Sequence, residues 1–405
     1  MQRSSPPGRA LLYIFPSISP FAAVKFCSLP CRILHSPLAI LSECGYNATI
    51  KFWMSGGLSA VHRGGNEMKK YLAILLALCL ALSLCACGGS KSDAPAAQAP
   101  AASIAGNLGA KDGGAELTFT TGGPAGTYYA FGGVIAQKVS EVTSTKVTAI
   151  TSGGSKANIE ALEMGDAQLA FSQSDVLSYA YAGTRSFSDT GAVTNFSIVA
   201  PLYMEQVQIV TLNPEIKTVA DLGGRAVSIG AAGSGVYFNA IDILNVYGIT
   251  ESDIRPTYPS FDESTEALLD GQIDAAFVVA GAPTTAVTSL AATNDVYLVS
   301  LDDEHINKLM AESPFYAKAT VAKDVYGTPE DVTTVAMSAV VIARNDVSDA
   351  DVYNFLYGVF ENLDNLAHDK AKELSFEFAT SVTDVPYHPG AAAYFADKGF
   401  DVPVA

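Results

Sequence analysis

Five stretches of small and hydroxylated residues each sit between an apolar strand-like run and a helical pattern: 121–128, 151–155, 172–175, 230–235 and 280–284. In an open α/β sheet such turns fall at the carboxyl ends of strands, where ligands bind. Each following helix start offers free backbone N–H groups and about half a positive charge. Several of them aimed at one point hold a carboxylate or phosphate without an arginine. Glycine lets a ligand approach the backbone, and Ser, Thr and Gln side chains add donors. Tyr128, Tyr129 and Tyr237 are candidates for a flat wall with a hydroxyl. The competing reading of each turn is ordinary N-capping and chain punctuation.

Other chemistry is thin. There is no Gly-x-x-x-x-Gly-Lys-[Ser/Thr], Gly-x-Ser-x-Gly or His-Glu-x-x-His. His305, His368 and His388 have no partner at metal-ligand spacing and are read as surface or capping residues. Gly233-Ser234-Gly235 has no matching base. Asp166 and Asp274 each follow a glycine in equivalent places and read as turn residues. Lys156, Arg185 and Arg225 are candidates to neutralise an acid ligand, against a plainer role as solvated surface charges. The expectation is no catalytic residue, no metal and no cofactor.

The elements that must position the turns alternate. Strand-like Leu117–Thr120 precedes helical Tyr129–Val139. Lys146–Ile150 precedes Ala157–Met164, and Leu169–Phe171 precedes Asp175–Ala182. This predicts an α/β fold with a mainly parallel sheet. The order then repeats. A glycine turn, helix, strand and helix lead to Leu162-Glu-Met-Gly165-Asp166-Ala167, and later, more loosely, to Leu268-Leu-Asp-Gly271-Gln-Ile-Asp274-Ala275. Two passes predict two similar lobes with a cleft between them. Phe196–Val210 is expected to carry the chain from lobe to lobe, and Val335–Ala343 to return it. Lobe 1 is then 116–205 plus 338–405, and lobe 2 is 206–337.

The 405 residues carry 24 basic and 41 acidic side chains, a net charge of −17, and 49% are hydrophobic. That excludes a disordered chain and a collagen, and it argues against a nucleic-acid partner. Met68-Lys69-Lys70 opens an apolar run from Tyr71 to Leu84, about right for a signal-peptide core and too short to span a bilayer. It ends in Leu84-Cys85-Ala86-Cys87, which resembles a bacterial lipobox, with Cys87 as the lipidated residue. Residues 68–86 are thus read as a lipoprotein signal peptide. Residues 1–67 are read as an over-extended gene start, since Arg63–Glu67 is what a ribosome-binding site could encode; a genuine N-terminal extension is the alternative. All six cysteines lie at or before position 87, so the processed chain keeps one thiol and no disulfide. Residues 1–86 hold 8 basic and 2 acidic residues, leaving 16 and 39 and a net charge of −23. Residues 87–115, rich in Gly, Ala, Ser and Pro, read as a flexible tether reaching on the order of 30 Å.

Taken together, Thr121–Tyr129, Ser152-Gly153-Gly154-Ser155-Lys156-Ala157-Asn158 and Ala170-Phe171-Ser172-Gln173-Ser174-Asp175 resemble the TAXI family. These are the solute-binding proteins of tripartite ATP-independent periplasmic (TRAP) transporters. Tyr181–Thr184, Leu202-Tyr203-Met204-Glu205, Gly230–Gly235 and Gly281-Ala282-Pro283-Thr284 fit as well, and the resemblance runs from about 116 to 365. It implies a two-lobed type II periplasmic-binding fold that closes over a glutamate- or glutamine-like acid. It also implies delivery to a TRAP membrane permease subunit driven by an ion gradient. Contacts carried over by position are Gly126, Tyr128, Gly154, Ser155, Asn158, Gln173, Ser174, Gly233, Ser234, Gly235 and Pro283. No counterpart is evident of the arginine that clamps the carboxylate in the other TRAP binding-protein family. The expected protein is a monomer, lipid-anchored at the outer face of the cytoplasmic membrane. A surface lipoprotein for adhesion or signalling and an exported enzyme are the alternatives.

Overall fold

The computed structural model describes residues 109–404. The expected extension 1–67, the expected signal peptide 68–86, Cys87 and most of the expected tether lie outside the described residues.

The first pass of the repeat is β1 (Glu116–Thr120), α1 (Thr127–Val142), β2 (Lys146–Ile150), α2 (Ser155–Met164), β3 (Leu169–Gln173) and α3 (Ser174–Ala182). A long strand, β4 (Phe196–Thr211), follows. The second pass is β5 (Ala226–Ser228), α4 (Val236–Val246), β6 (Arg255–Thr257), α5 (Phe261–Leu269), β7 (Ala275–Ala280) and α6 (Thr285–Ala291). After it come β8 (Tyr297–Leu298), α7 (Asp303–Glu312), β9 (Ala317–Val321) and a second long strand, β10 (Val332–Arg344). The chain closes with α8 (Asp349–Phe360), α9 (Phe376–Ala379) and α10 (Pro389–Asp397). The predicted elements thus appear, extended by one to three residues at most ends.

Strand order makes the internal symmetry explicit. The sheet reads β2-β1-β3-β10-β4-β7-β5-β6. From either edge inward the sequence of roles is the same: second strand of a pass, first strand, third strand, then a long antiparallel strand. β1 pairs in parallel with β2 and β3, and β5 with β6 and β7. β4 and β10 belong to both halves. The first part of β4 pairs with the end of β10, which in turn pairs with β3. Its last part, Gln206–Val210, pairs with β7, while the start of β10 pairs with β9.

Each half has its own core. One cluster joins Leu117, Phe119, Phe131, Phe171 and Tyr203 to Ala339–Ala343 and to Phe355 and Phe395. The other half packs both faces of β7. Ala275, Phe277 and Val279 turn into a cluster with Val227, Ile243 and Met337, and Ala276, Val278 and Ala280 into one with Val287 and Leu290. That is the period-two alternation of a strand covered on both sides, and it explains the continuous apolar run Ala275–Ala280.

The repeated Leu-x-x-Gly marks helix ends. Gly165 caps α2 in the left-handed region (φ 83°), and its N–H and that of Asp166 donate back to Leu162 and Ala161. At the end of α5, Gly271 (φ 66°) and Gln272 donate to Leu268 and Ala267 in the same way. One feature departs from expectation. The last tether residues are tied down: Lys111 N–H donates to Asn354 Oδ1 at 2.6 Å, and Gly114 and Ala115 N–H donate to Asp351 Oδ1 at 2.9 and 3.2 Å. These two polar positions on α8 are invisible to a composition-based reading of 109–115.

Candidate functional site

A cavity of about 130 Å³ lies between the two sets of strand ends. Gly123, Tyr128, Ser152, Gly153, Gly154, Ser155 and Gln173 line it from the first pass. Ala231, Ser234, Gly235, Val236, Ser260, Phe261 and Val279 line it from the second. The volume suits a molecule of roughly benzene size.

Helix starts divide sharply. The helices of the five turns, α1, α2, α3, α4 and α6, have Gly126, Gly154, Gln173, Gly235 and Thr284 at their N-caps, and none receives a side-chain cap. The other five described helices are capped: α5 by the Ser260–Glu263 box, and α7 to α10 by Asp302, Ser348, Ser375 and His388. Ordinary capping therefore does not account for the small residues in the five turns. Four of the uncapped starts, α1 to α4, contribute residues to the cavity wall. Ala157 N–H of α2 is taken by Gly233 O and Val176 N–H of α3 by Asp175 Oδ1; the N–H groups left over and the helix dipoles favour an anion there.

Of the eleven residues singled out in the sequence, Tyr128, Gly154, Ser155, Gln173, Ser234 and Gly235 come together on the cavity. The other five do not line it. Gly126 packs on the Phe261 ring. Asn158 is fully buried, and its Nδ2 bridges the carbonyls of Thr121 and Phe171 at 2.7 Å each, tying β1 to β3. Ser174 Oγ accepts from Ser338 N–H at 3.3 Å, on the returning strand. The Gly233 carbonyl accepts from Ala157 N–H at 3.1 Å. Pro283, after a cis peptide, borders a separate cavity of about 490 Å³ with His368, Lys370 and Lys372. Polar residues near helix starts look alike in sequence whether they face a ligand or stitch strands together.

The two halves grip each other through these turns. Besides Ala157 to Gly233, Ala286 N–H donates to Ala125 O at 3.1 Å, and Thr127 Oγ1 donates to Gly281 O at 2.8 Å. Gly154, at φ 103°, needs no Cβ for two reasons: the left-handed backbone, and Ser234 Cα 3.3 Å from where that Cβ would sit. Arg185 Nη2 bonds both Asp242 oxygens across the halves at 2.6 and 2.7 Å.

All three candidate cations are thus engaged elsewhere. Arg185 serves Asp242, Arg225 pairs with Asp274 at 3.6 Å, and Lys156 pairs with Glu160 one turn on. The histidines do cap: His368 and His388 accept from Lys370 and Gly390 N–H, while His305 stacks on Tyr247. Asp274 Oδ2 accepts from Ala226 N–H at 2.8 Å, a tie to the start of β5 where a local turn role was expected.

Sequence reading missed the acid beneath the cavity. Tyr128 Oη donates to Glu205 Oε2 at 2.8 Å, while the Tyr128 ring stacks on Phe171 at 4.6 Å. Glu205 is 2% exposed, and burial, with Asp175 adding repulsion, pushes its carboxyl up to about 8 against the Tyr128 bond and Lys370, which pull it down. Burial likewise pushes Asp175 up to about 7. Lys370, from the C-terminal stretch, is buried under Gly281 and bonded to Glu373 at 2.6 Å. One signal was available: Glu205 is the only acid inside the sixteen-residue apolar strand β4.

Two α/β halves that share a pair of crossing strands and face each other over a cavity define the two-lobed, type II periplasmic-binding class of fold. Residues 119–399 match the NMT1-like family, and the chain belongs to it. Among solved structures it is similar to the alkanesulfonate-binding protein SsuA from Xanthomonas axonopodis pv. citri bound to MOPS, at 16% identity over 70% of this chain and 83% of that one, TM-score 0.41. It is also similar to the periplasmic aliphatic sulphonate binding protein SsuA from Escherichia coli, at 17% identity over 70% and 90%, TM-score 0.38. The GluR0 ligand-binding core from Nostoc punctiforme in complex with L-glutamate matches at 16% identity over 65% and 98%, TM-score 0.37. Among the described residues no helix is long and apolar enough to cross a membrane, and no cluster of His, Cys, Asp and Glu could hold a metal.

Proposed function

We propose that the chain is an extracytoplasmic receptor that captures a small organic acid or amino acid between its two lobes. The observation that carries this reading is the convergence of four uncapped helix starts, three from the first pass and one from the second, on one small cavity. A carboxylate placed there takes backbone N–H groups from both lobes only when they are closed, so the ligand favours closure. Lobe 1 is 116–205 with 338–405, lobe 2 is 206–337, and β4 and β10 serve as the hinge. The six cavity-lining residues named from sequence are the proposed contacts, Asn158, Ser174, Gly126 and Gly233 support them, and Pro283 lies on the separate cavity.

The finer reading is a TAXI-type receptor, anchored through a lipid on Cys87, that hands its solute to a TRAP membrane permease. The motif run from Thr121 to Asp175 supports the family, and Leu84–Cys87 supports the anchor. Calorimetry on the full chain with a panel of amino and dicarboxylic acids tests binding; no heat from any of them refutes it. Uptake into vesicles holding the permease must follow an ion gradient rather than ATP. Lipid labelling must vanish in Cys87→Ala.

A further inference from the structure

The polar wall of the cavity has a fixed sense. Gln173, 2% exposed, ends β3 and lines the cavity. Its Nε2 donates to Asn239 Oδ1 at 3.0 Å. Its Oε1 has no hydrogen-bond partner among the described residues. That oxygen lies against Gly235 at the start of the eleven-residue helix α4, only 1.5 Å from where a Cβ on Gly235 would stand. An amide can in principle present either end. This one is not free to turn. Asn239 is fully buried, and its Nδ2 donates to Asp175 Oδ2 and to Tyr316 Oη, both at 3.0 Å. The one proton of Tyr316 is committed to Asp242 Oδ2 at 3.1 Å, so towards Asn239 its oxygen only accepts. The Tyr316 oxygen, an acceptor towards Asn239 whatever the charge on Asp175, therefore holds the Asn239 amino group, Asn239 Oδ1 must face Gln173, and only the Gln173 amino group fits there. The sequence suggested Gln173 as a donor to ligand; the relay spends its donor internally and leaves a carbonyl for the cavity.

We propose that Gln173 Oε1 is the specificity-determining acceptor of the cleft, selecting acids that carry a hydrogen-bond donor, an ammonium or a hydroxyl, next to the carboxylate. The inference rests on the proposed binding of a small acid in this cavity. With the carboxylate on the N–H groups that open α2 and α4, the neighbouring substituent faces Gln173, which touches the start of α4. A donor there satisfies a buried carbonyl oxygen, whereas a 2-oxo group sets acceptor against acceptor and an unsubstituted carbon leaves the oxygen unpaired. Asp175, Asn239 and Tyr316 are positioning residues that act through Gln173.

The test is calorimetry on the full chain with two matched series: alanine, lactate, pyruvate and propionate, and glutamate, 2-hydroxyglutarate, 2-oxoglutarate and glutarate. In whichever series fits, the amino or hydroxy acid should bind roughly tenfold or more tightly than its 2-oxo and unsubstituted partners. Gln173→Met should bring that ratio towards one. Tyr316→Phe, which frees Asn239 to turn while keeping the ring, should lower it too, with thermal melting of each variant confirming a folded protein. A 2-oxo acid binding as tightly as its amino and hydroxy partners overturns the inference alone, as does a folded Gln173→Met that keeps the full ratio. No binding by any of the eight acids overturns the small-acid reading and this inference with it.

Discussion

Gly235→Ala isolates the contact between lobes. Gly235 has φ −74° and ψ −23°, a right-handed helical backbone that alanine adopts without strain. Local propensity therefore favours the substitution by a few tenths of a kcal/mol up to about 1 kcal/mol. The opposing effect comes entirely from across the cleft. The new methyl would stand 1.5 Å from Gln173 Oε1, 2.6 Å from its Cδ and 3.0 Å from Val176 Cγ2. Restoring an ordinary contact of about 3.5 Å needs a shift of roughly 2 Å. Gln173 cannot supply it cheaply, because its N–H is held by Ser155 Oγ at 3.1 Å and its Nε2 by Asn239. Giving up the second bond leaves a buried polar group unpaired, at about 1–3 kcal/mol; otherwise the lobes stay apart. Either way, affinity for the acid should fall roughly 5- to 150-fold. Calorimetry with the tightest acid of the panel reads this, and X-ray scattering with and without the acid reads closure. Gly133→Ala, where the new methyl meets nothing within 4 Å, is the matched control and should leave affinity unchanged. A Gly235→Ala protein that binds as tightly as the parent and compacts equally on binding would refute the closure argument.

Further outcomes follow from the same contacts. Arg185→Ala removes a pair that bridges the lobes but is partly exposed, so affinity should drop by no more than about fivefold, and the drop should shrink in high salt. Asp175 and Glu205 keep their protons to about pH 7 and 8 in the folded chain, whereas unfolded carboxyls lose theirs near pH 4. The folded state thus binds more protons between those values, and stability should fall as pH rises from about 4 to 8, on the order of a few kcal/mol. Urea midpoints across that range check the sign, and Glu205→Gln should flatten the upper part of the curve. Gly358→Ala drives a methyl to 2.8 Å from Val139 Cα, where α8 crosses α1, and should cost about 1–3 kcal/mol by overpacking, read from the melting midpoint.

Local signals carried far in this chain. Strand and helix periods, the glycine turns and the repeated Leu-x-x-Gly helix stops are short-range features, and they were legible because neighbours in sequence enforce them. Residues 109–115 show the limit: their composition reads as linker, yet Asp351 and Asn354, over two hundred positions away, hold Lys111–Ala115 in place. Lys370 was likewise passed over, since a lysine in a polar stretch says nothing of the Tyr203 ring and Gly281 that bury it.

The sequence by itself determined that two similar α/β passes exist, that five strand-to-helix turns are small and polar, and that no arginine is obviously set aside for an anion. Those are statements about periodicity and residue type, which survive without coordinates. Only the tertiary structure decided which turns meet. Crossing by β4 and β10 brings Gly154 against Ser234 and Gly235 against Gln173, while packing within the first pass sends Asn158 to strand carbonyls. It also decided the sense of the Gln173 amide. Hydrogen-bond direction depends on which acceptors distant segments deliver to the same buried point: Asp175 comes from α3, Asn239 from α4 and Tyr316 from the connection between α7 and β9.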